Sequence, residues 1–205
     1  MPLILLVRHG ENDYVKKNLL AGRLPGVHLN EKGQAQAQAL TERLKSLPIK
    51  AVYSSPLERA METAEPFAKA LGLEVIPRPG LLETDIGEWQ GLPLKGLRRS
   101  KPWRKVQGNP ARHRFPGGEA FIDTQHRICT ELEALAALHQ PKEMIVCVTH
   151  ADPIKLAVAY YLGMPLDHFQ RLVVSPGSIT ALYLGEMGAQ LLILNYDLSL
   201  SLPGA

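Results

Sequence analysis

In the stretch LLVRHGEN, residues 5–12, an arginine and a histidine directly follow a run of apolar residues. The run begins as PLILLV at residue 2, and a second run, MIVCV, covers residues 144–148. Continuous apolar runs of this length indicate strands that are buried on both faces, as in a parallel sheet. In open sheets of this kind, ligands bind at the carboxyl ends of the strands. Arg8 and His9 therefore stand where a binding site is expected.

The rest of the chain alternates strand patterns with helical periodicity. Shorter strands are expected at AVYSS (51–55) and LEVIP (73–77), and a late hairpin at SITALYLG and AQLLILNY. Four helices are expected: one after the N-cap Asn30, one with Ser55 as cap and Pro56 as its first residue, one over 121–135, and one from Asp152 to near Gly163. The alternation predicts a single α/β domain over residues 1–205, with a mostly parallel central sheet flanked by helices.

Composition and cysteine usage narrow the class of protein. The chain has 205 residues, 45% hydrophobic and 21% charged, which is typical of one ordinary globular domain. Cys129 and Cys147 form no metal-binding or disulfide motif and are interpreted as buried thiols in a reducing cytoplasm. PLILLV is too short for a secretory core, and no stretch is long enough to span a membrane.

Positive charge is concentrated in residues 92–116, which we call the basic segment. It contains eight basic and no acidic residues, so it carries +8; the whole chain carries +3, which leaves −5 for the remainder. Such a run is either a solvated loop or a surface that attracts anions. We favour the second interpretation, in which the charge of this segment favours small anionic ligands.

Three separate segments deliver polar residues to the same predicted sheet edge. The first strand ends in Arg8-His9, the second precedes a helix carrying Arg59, and the strand at 144–149 ends in His150. Helix N-termini at the same edge favour an anion such as phosphate. The sequence has neither HExxH nor CxxC spacing, and two arginines would repel a cation, so no metal and no cofactor is expected. The absence of G-x-S-x-G disfavours serine-nucleophile chemistry.

Six motifs follow one another in a fixed order along nearly the whole chain. They are RHGEN (8–12), LNEKGQAQA (29–37), SSPLERAMETA (54–64), LLETDIGEWQG (81–91), FPGGEA (115–120) and VTHADPIK (148–155). RHG alone is a weak signal, whereas the full series is specific. Through these motifs the chain resembles the histidine phosphatase superfamily, in its phosphoglycerate-mutase-like branch, from Leu5 to about Leu198.

The basic segment falls where this family carries its substrate cap. The resemblance therefore implies a small cap insertion at residues 92–116 whose charge favours small anionic substrates. The candidate substrate-binding residues within it are Arg98, Arg99, Arg104 and Arg112.

The resemblance implies a role for each matched residue. His9 would be the nucleophile, attacking phosphorus to give a phosphohistidine that water hydrolyses. Arg8, Arg59 and His150 would hold the equatorial phosphoryl oxygens, where electrostatic stabilisation supplies much of the catalysis. Glu83 would protonate the leaving oxygen.

Some assignments around these residues are less specific. Asp85 is the alternative proton donor to Glu83 in the same loop, and Glu11 and Asn12 are candidate substrate contacts. Two motifs depart from the family pattern. Ala151-Asp152-Pro153 follows His150 where glycine is common, which adds negative charge, and Ala120 replaces the usual serine after Gly118-Glu119.

The resemblance leaves more than one function open. Family mutases that act on phosphoglycerate are longer and enclose their substrate, so hydrolysis of a phosphomonoester is favoured over mutase-type phosphoryl transfer. A non-catalytic module that binds nucleic acid or a protein partner through the basic segment is the second alternative, with Trp103 and Phe115 for stacking. The expected partner is therefore a small phosphomonoester, not nucleic acid or a membrane, and a homodimer is the assembly left open.

Overall fold

The central sheet has six strands in the computed structural model, which describes residues 2–185 and 188–197. The strands are β1 Leu3–Arg8, β2 Ile49–Ser54, β3 Val75–Pro77, β4 Met144–Thr149, β5 Ile179–Gly185 and β6 Gly188–Tyr196. Their order is β3-β2-β4-β1-β5-β6; the first four are parallel, β5 is antiparallel to β1, and β6 is antiparallel to β5. The predicted α/β class, the mostly parallel sheet and the late hairpin are confirmed. The hairpin turn, residues 186–187, lies outside the described residues.

Helices cover both faces of this sheet. They are α1 Asp13–Lys16, α2 Glu31–Leu44, α3 Glu58–Ala70, α4 Leu94–Leu97, α5 Lys101–Gly108, α6 Phe121–Ala137 and α7 Ala151–Tyr161. Short 3₁₀ helices occupy Pro79–Leu81, Gly87–Trp89, Pro110–Arg112 and Leu166–Arg171. Within the described ranges, no helix combines the length and the apolar content that a bilayer crossing requires.

Alternate residues of β1 supply two separate cores. Leu5 and Val7 pack against α2 and α3, whereas Ile4 and Leu6 pack against α6 and α7. Successive side chains of a strand point to opposite faces, so a strand covered on both sides must be apolar at every position. This requirement explains the unbroken apolar run before Arg8.

The helix α3 begins later than the sequence suggests. The expected cap Ser55 and first residue Pro56 both precede it: the helix starts at Glu58, with Leu57 at the N-cap position and no side-chain cap. The hydroxyl of Ser55 still accepts from the Leu57 amide at 3.4 Å, and its Oγ also lies 2.8 Å from Nε2 of His150. The predicted start of the helix was therefore two residues too early, and Ser55 contacts both the chain before the helix and the site.

Three parallel strands end at the same level. Arg8 at the end of β1 lies opposite Thr149 of β4, and Ser54 of β2 lies opposite Val148 of β4. The pairing continues one residue further, since the His9 amide donates to the Thr149 carbonyl at 3.0 Å. The loops that follow these strands therefore start side by side.

The basic segment is anchored through its own apolar cluster. Val106 and Phe115 are buried and pack with Trp89 and Phe121. Trp103 stacks on Trp89 with 5.6 Å between ring centroids. The segment is thus attached beside the main core, and its arginines take no part in that packing.

We expect Gly33→Ala to destabilise the protein, although alanine normally stabilises a helix relative to glycine by about 0.5–1 kcal/mol. A Cβ on Gly33, in the first turn of α2, would lie 2.0 Å from the carbonyl oxygen of Glu11, on the loop that follows His9. The loop must shift, so urea denaturation should give a loss of about 2–3 kcal/mol. The control is Gly108→Ala at the end of α5, where a Cβ meets nothing within 4 Å. Equal stability of the two variants would contradict the expectation.

Candidate active site

Two histidines from different strand ends lie together at the edge of the sheet. His9 follows β1 and His150 follows β4, and their ring centroids are 5.1 Å apart. Arg59, in the first turn of α3, lies between the rings: its Nε is 3.3 Å from Nε2 of His9, and its Nη2 is 3.3 Å from Nδ1 of His150. All three side chains are almost completely buried. The three residues that the sequence placed at one edge are therefore in contact.

The ring of His9 carries its lone pair at Nε2, where the Nε of Arg59 donates a long hydrogen bond of 3.3 Å. Its Nδ1 lies 2.7 Å from the carbonyl oxygen of Gly10, which only accepts hydrogen bonds, so Nδ1 carries the hydrogen. Burial lowers the pKa of His9 well below its usual value, and the cationic Arg59 and Arg8 lower it further. The imidazole is therefore neutral at physiological pH, as a nucleophile must be.

His150 is held in the opposite tautomer. Arg59 donates to its Nδ1, so the hydrogen resides on Nε2, which faces the hydroxyl of Ser55. Burial lowers the pKa of His150 well below its usual value, and Arg59 and His9 add to this effect. The His150 side chain is therefore a neutral hydrogen-bond donor. It lies behind the cavity that the other site residues line.

Three buried N–H groups around His9 have no hydrogen-bond partner among the described residues. They are Nε of Arg8, Nδ2 of Asn12 and Nη1 of Arg59. Other groups of the two arginines are bound to the protein: Arg8 Nη1 donates to the Val174 carbonyl at 2.6 Å, and Arg59 Nη2 donates to the Gly22 carbonyl at 2.7 Å. Buried donors without partners cost free energy, about 1–3 kcal/mol each. A bound anion would satisfy all three together.

Glu83 lies across the same cavity, on the loop after β3. Burial raises its pKa to about 7 and the neighbouring Asp152 adds to the rise, while Arg59 opposes it. The Thr84 amide donates to its Oε1 at 2.9 Å, which leaves the other oxygen available. A carboxyl group that titrates near neutrality is suited to proton transfer.

The cavity has a volume of about 250 Å³. Arg8, His9, Asn12, Arg59 and Glu83 all line it, and Asp152 lies beside them. The alternative donor Asp85 does not line it; its Oδ1 accepts from the Gly87 amide at 2.9 Å and stabilises the loop. The volume is at the lower end of the range for ligand pockets, which is about 300–1,000 Å³. The site therefore suits a small substrate.

The other predicted contacts lie outside the cavity wall. Glu11 binds Lys32 and the Asn30 side chain, at 3.0 and 3.1 Å, on the outer side of the loop. The four arginines of the basic segment are exposed, and none of them lines the cavity: Arg98, Arg99, Arg104 and Arg112. Their position allows long-range attraction of an anion, and their contact with substrate stays a prediction.

Sequence reasoning missed a network that holds the Glu83 loop. Arg127 of α6 donates to the backbone carbonyls of Gly80, Leu82 and Glu83 at 2.8–3.2 Å. Arg23 donates through Nε to the same Glu83 carbonyl at 2.7 Å. Two arginines therefore fix the backbone that carries Glu83.

Glu119 joins the two arginines. It accepts from Arg23 at 2.7 Å and from Arg127 at 3.0 Å, and it also binds the Asp85 amide. Burial opposes ionisation of Glu119, but the hydrogen bonds from Arg127 and Asp85 lower its pKa to about 2. The sequence pointed to Glu119 only through the motif FPGGEA, which contains this glutamate but does not indicate its partners.

We expect Glu119→Gln to reduce kcat by about 10-fold to 100-fold through displacement of the Glu83 loop. Glu119 is a positioning residue, so the measurement is the pH profile: loosening the loop admits water, lowers the pKa of Glu83 and moves the alkaline limb of kcat/KM to lower pH. Glu133→Gln on the exposed side of α6 is the control. If kcat falls but the alkaline limb of kcat/KM does not move, Glu119 contributes only to the stability of the protein and does not position Glu83.

Comparison with known proteins agrees with this geometry. The profile of the histidine phosphatase superfamily (branch 1) matches residues 4–197. Phosphoserine phosphatase 1 of Hydrogenobacter thermophilus is 29% identical over 197 residues, which cover 95% of this chain and 92% of that protein. A 2,3-bisphosphoglycerate-dependent phosphoglycerate mutase of Thermoplasma acidophilum is 31% identical over 187 residues, 89% of this chain and 87% of that protein.

Comparison with solved structures points to the same family. The mycobacterial glucosyl-3-phosphoglycerate phosphatase, solved in complex with VO3, superimposes with a TM-score of 0.86 at 28% identity, covering 95% of this chain and 99% of that one. The family match spans nearly the whole chain and includes every strand that carries a site residue. The protein is therefore a member of the histidine phosphatase superfamily, branch 1.

Proposed function

We propose that the protein hydrolyses phosphomonoesters through a phosphohistidine on His9. The observation that carries the proposal is the set of three buried, unpartnered N–H groups around a neutral histidine with an unprotonated Nε2. The donors on Arg8, Asn12 and Arg59 suit phosphoryl oxygens, and arginine is the preferred partner for phosphate. The phosphatase names among the relatives support the same reaction.

The first step transfers the phosphoryl group to the enzyme. Nε2 of His9 attacks phosphorus, the ester P–O bond breaks, and the departing alcohol oxygen takes the proton of Glu83. The Gly10 carbonyl, bonded to Nδ1, stabilises the positive charge that the ring acquires. Arg8 and Arg59 stabilise the charge on the equatorial oxygens, and His150, whose Nδ1 accepts from Arg59, holds that arginine in position.

The second step releases phosphate. Ionised Glu83 accepts a proton from water, the water oxygen attacks phosphorus, and the P–N bond to His9 breaks. Inorganic phosphate leaves, and both residues return to their starting protonation states. The donor must therefore alternate between acid and base, which a pKa near 7 allows.

Phosphoryl transfer of the mutase type is the second candidate, favoured by the similarity to the Thermoplasma acidophilum mutase. The two reactions share the phosphohistidine and differ in the acceptor. Product analysis separates them: incubation with a phosphomonoester should release inorganic phosphate in amounts equal to the alcohol. Phosphate recovered on a second hydroxyl, without release, would instead establish the mutase reaction.

A nucleic-acid-binding role has less support. Phe115 is 4% exposed and Trp103 stacks on Trp89, so neither ring is free to stack on bases. We propose a small phosphomonoester as the partner and no role for nucleic acid. The cytoplasmic location and the homodimer stay predictions.

A further inference from the structure

The cavity has an apolar part that the proposed reaction does not use. Beyond the residues around His9, its wall consists mainly of aliphatic side chains from the α1 region and from the loops before and within the basic segment. They are Val15, Leu19, Leu20, Ala21, Ile86 and Leu94. The phosphoryl group has its own polar donors, so this wall surrounds the alcohol portion of a substrate.

The apolar wall is built in advance and held by backbone hydrogen bonds. The Leu20 amide donates to the Leu92 carbonyl at 3.0 Å, and the Gly91 amide donates to the Leu20 carbonyl at 2.7 Å. The Leu94 amide donates to the Asn18 carbonyl at 3.0 Å, and Leu19 forms an antiparallel bridge with Pro93. Two loop segments are thus locked side by side, and their side chains are positioned before substrate arrives.

The charges around the cavity disfavour a second anion. Of the described residues that line it, Arg8 and Arg59 are the cations, and both are assigned to the phosphoryl oxygens. The remaining charged groups in the wall are Glu83 and Asp152, which are acidic. A carboxylate on the alcohol would lose its hydration without gaining a cationic partner, which is costly in a confined site.

Neutral polar groups are present in small number. Thr84 lines the cavity with a buried hydroxyl that has no partner among the described residues, and Asn18 lies at the exposed side. Either can bind a hydroxyl group on the alcohol. Neither compensates a full charge.

We infer that the substrate is a small phosphomonoester whose alcohol is uncharged and mainly apolar, an inference that rests on the proposed function. Esters whose alcohol carries a carboxylate, such as phosphoserine or 3-phosphoglycerate, are disfavoured. The exposed arginines of the basic segment attract any phosphate ester from a distance, but at about 150 mM salt this attraction is screened beyond about 8 Å, so it adds little to the selection inside the cavity.

The test is a pair of esters of similar shape that differ in charge. We expect kcat/KM for 4-methylphenyl phosphate to exceed that for 4-carboxyphenyl phosphate by at least about tenfold at about 150 mM salt. The aliphatic pair glycerol 3-phosphate and 3-phosphoglycerate should show the same order. Equal values, or a preference for the carboxylates, would overturn the inference.

A charge introduced into the apolar wall should reverse the preference. Leu94→Arg adds a cation to the cavity, so it should raise kcat/KM for the carboxyphenyl ester and lower it for the methylphenyl ester. The control is Leu92→Arg, which adds the same charge two residues away on a side chain that is 40% exposed and outside the wall. It should change both esters by the same factor. If Leu92→Arg and Leu94→Arg act alike on both esters, the wall does not contact the alcohol and the inference fails.

The outcomes also separate this inference from the proposed function. If neither wild-type reaction releases phosphate and no phosphohistidine forms, the proposed function fails. If phosphate is released with no discrimination by charge, the proposed function stands and the inference fails. Circular dichroism checks the fold of Leu94→Arg, and the wild-type comparison decides the inference even if that variant does not fold.

Discussion

Replacing His9 by asparagine should lower kcat/KM for any phosphomonoester by about 10⁴-fold or more, because His9 supplies the only imidazole among the described residues that line the cavity. Asparagine keeps a polar side chain at the end of β1 but supplies no basic lone pair. The arginines that bind the phosphoryl group remain, so substrate binding should fall far less than turnover. Isothermal titration with inorganic phosphate measures that remaining affinity.

Trapping of the phosphohistidine intermediate tests the role of His9 directly. An alkaline quench during turnover of a ³²P-labelled ester should leave label on the wild-type chain, since the P–N bond of phosphohistidine is stable in base and labile in acid. Peptide mapping should place the label on His9, and His9→Asn should carry none. His126→Asn, an exposed histidine on α6, is the control and should label normally. Label on an acid-stable residue, or full activity of His9→Asn, would reject the mechanism.

Removal of the proton donor should have an effect that depends on the leaving group. Glu83→Gln should reduce kcat/KM for alkyl phosphates by about 10²-fold to 10⁴-fold, the usual contribution of general acid catalysis. The effect on 4-nitrophenyl phosphate should be below about tenfold, because that phenolate departs without protonation. A loss of equal size for both esters would mean that Glu83 acts in binding or folding.

The pH dependence gives an independent test of the same residue. Glu83 must be protonated to donate, and its pKa is raised to about 7, so kcat/KM for alkyl phosphates should fall as the pH rises above about 7. The bound phosphate dianion raises this pKa further, which should move the corresponding limb of kcat to higher pH. Glu83→Gln should abolish the alkaline limb. The exposed neighbour Glu88 provides the control, and Glu88→Gln should keep it.

Local sequence patterns predicted the central sheet and the edge at which the candidate site lies. Unbroken apolar runs at β1 and β4 predicted strands covered on both faces, and Arg8, His9 and His150 followed those strands in the chain. Because the carboxyl ends of parallel strands share one edge, local patterns were enough to bring these residues together. The register of Arg8 opposite Thr149 confirms that reasoning.

Long-range contacts in the folded protein set which polar groups line the cavity. The basic segment has the strongest charge signal in the chain, yet its arginines are exposed, while Arg23 and Arg127 gave no signal and hold the Glu83 loop. A run of basic residues in a sequence does not indicate where their side chains point, since loop conformation and long-range hydrogen bonds set that orientation. The apolar wall likewise arises when Leu20 and Leu94 meet across a backbone bridge, a contact between distant residues that no local periodicity encodes.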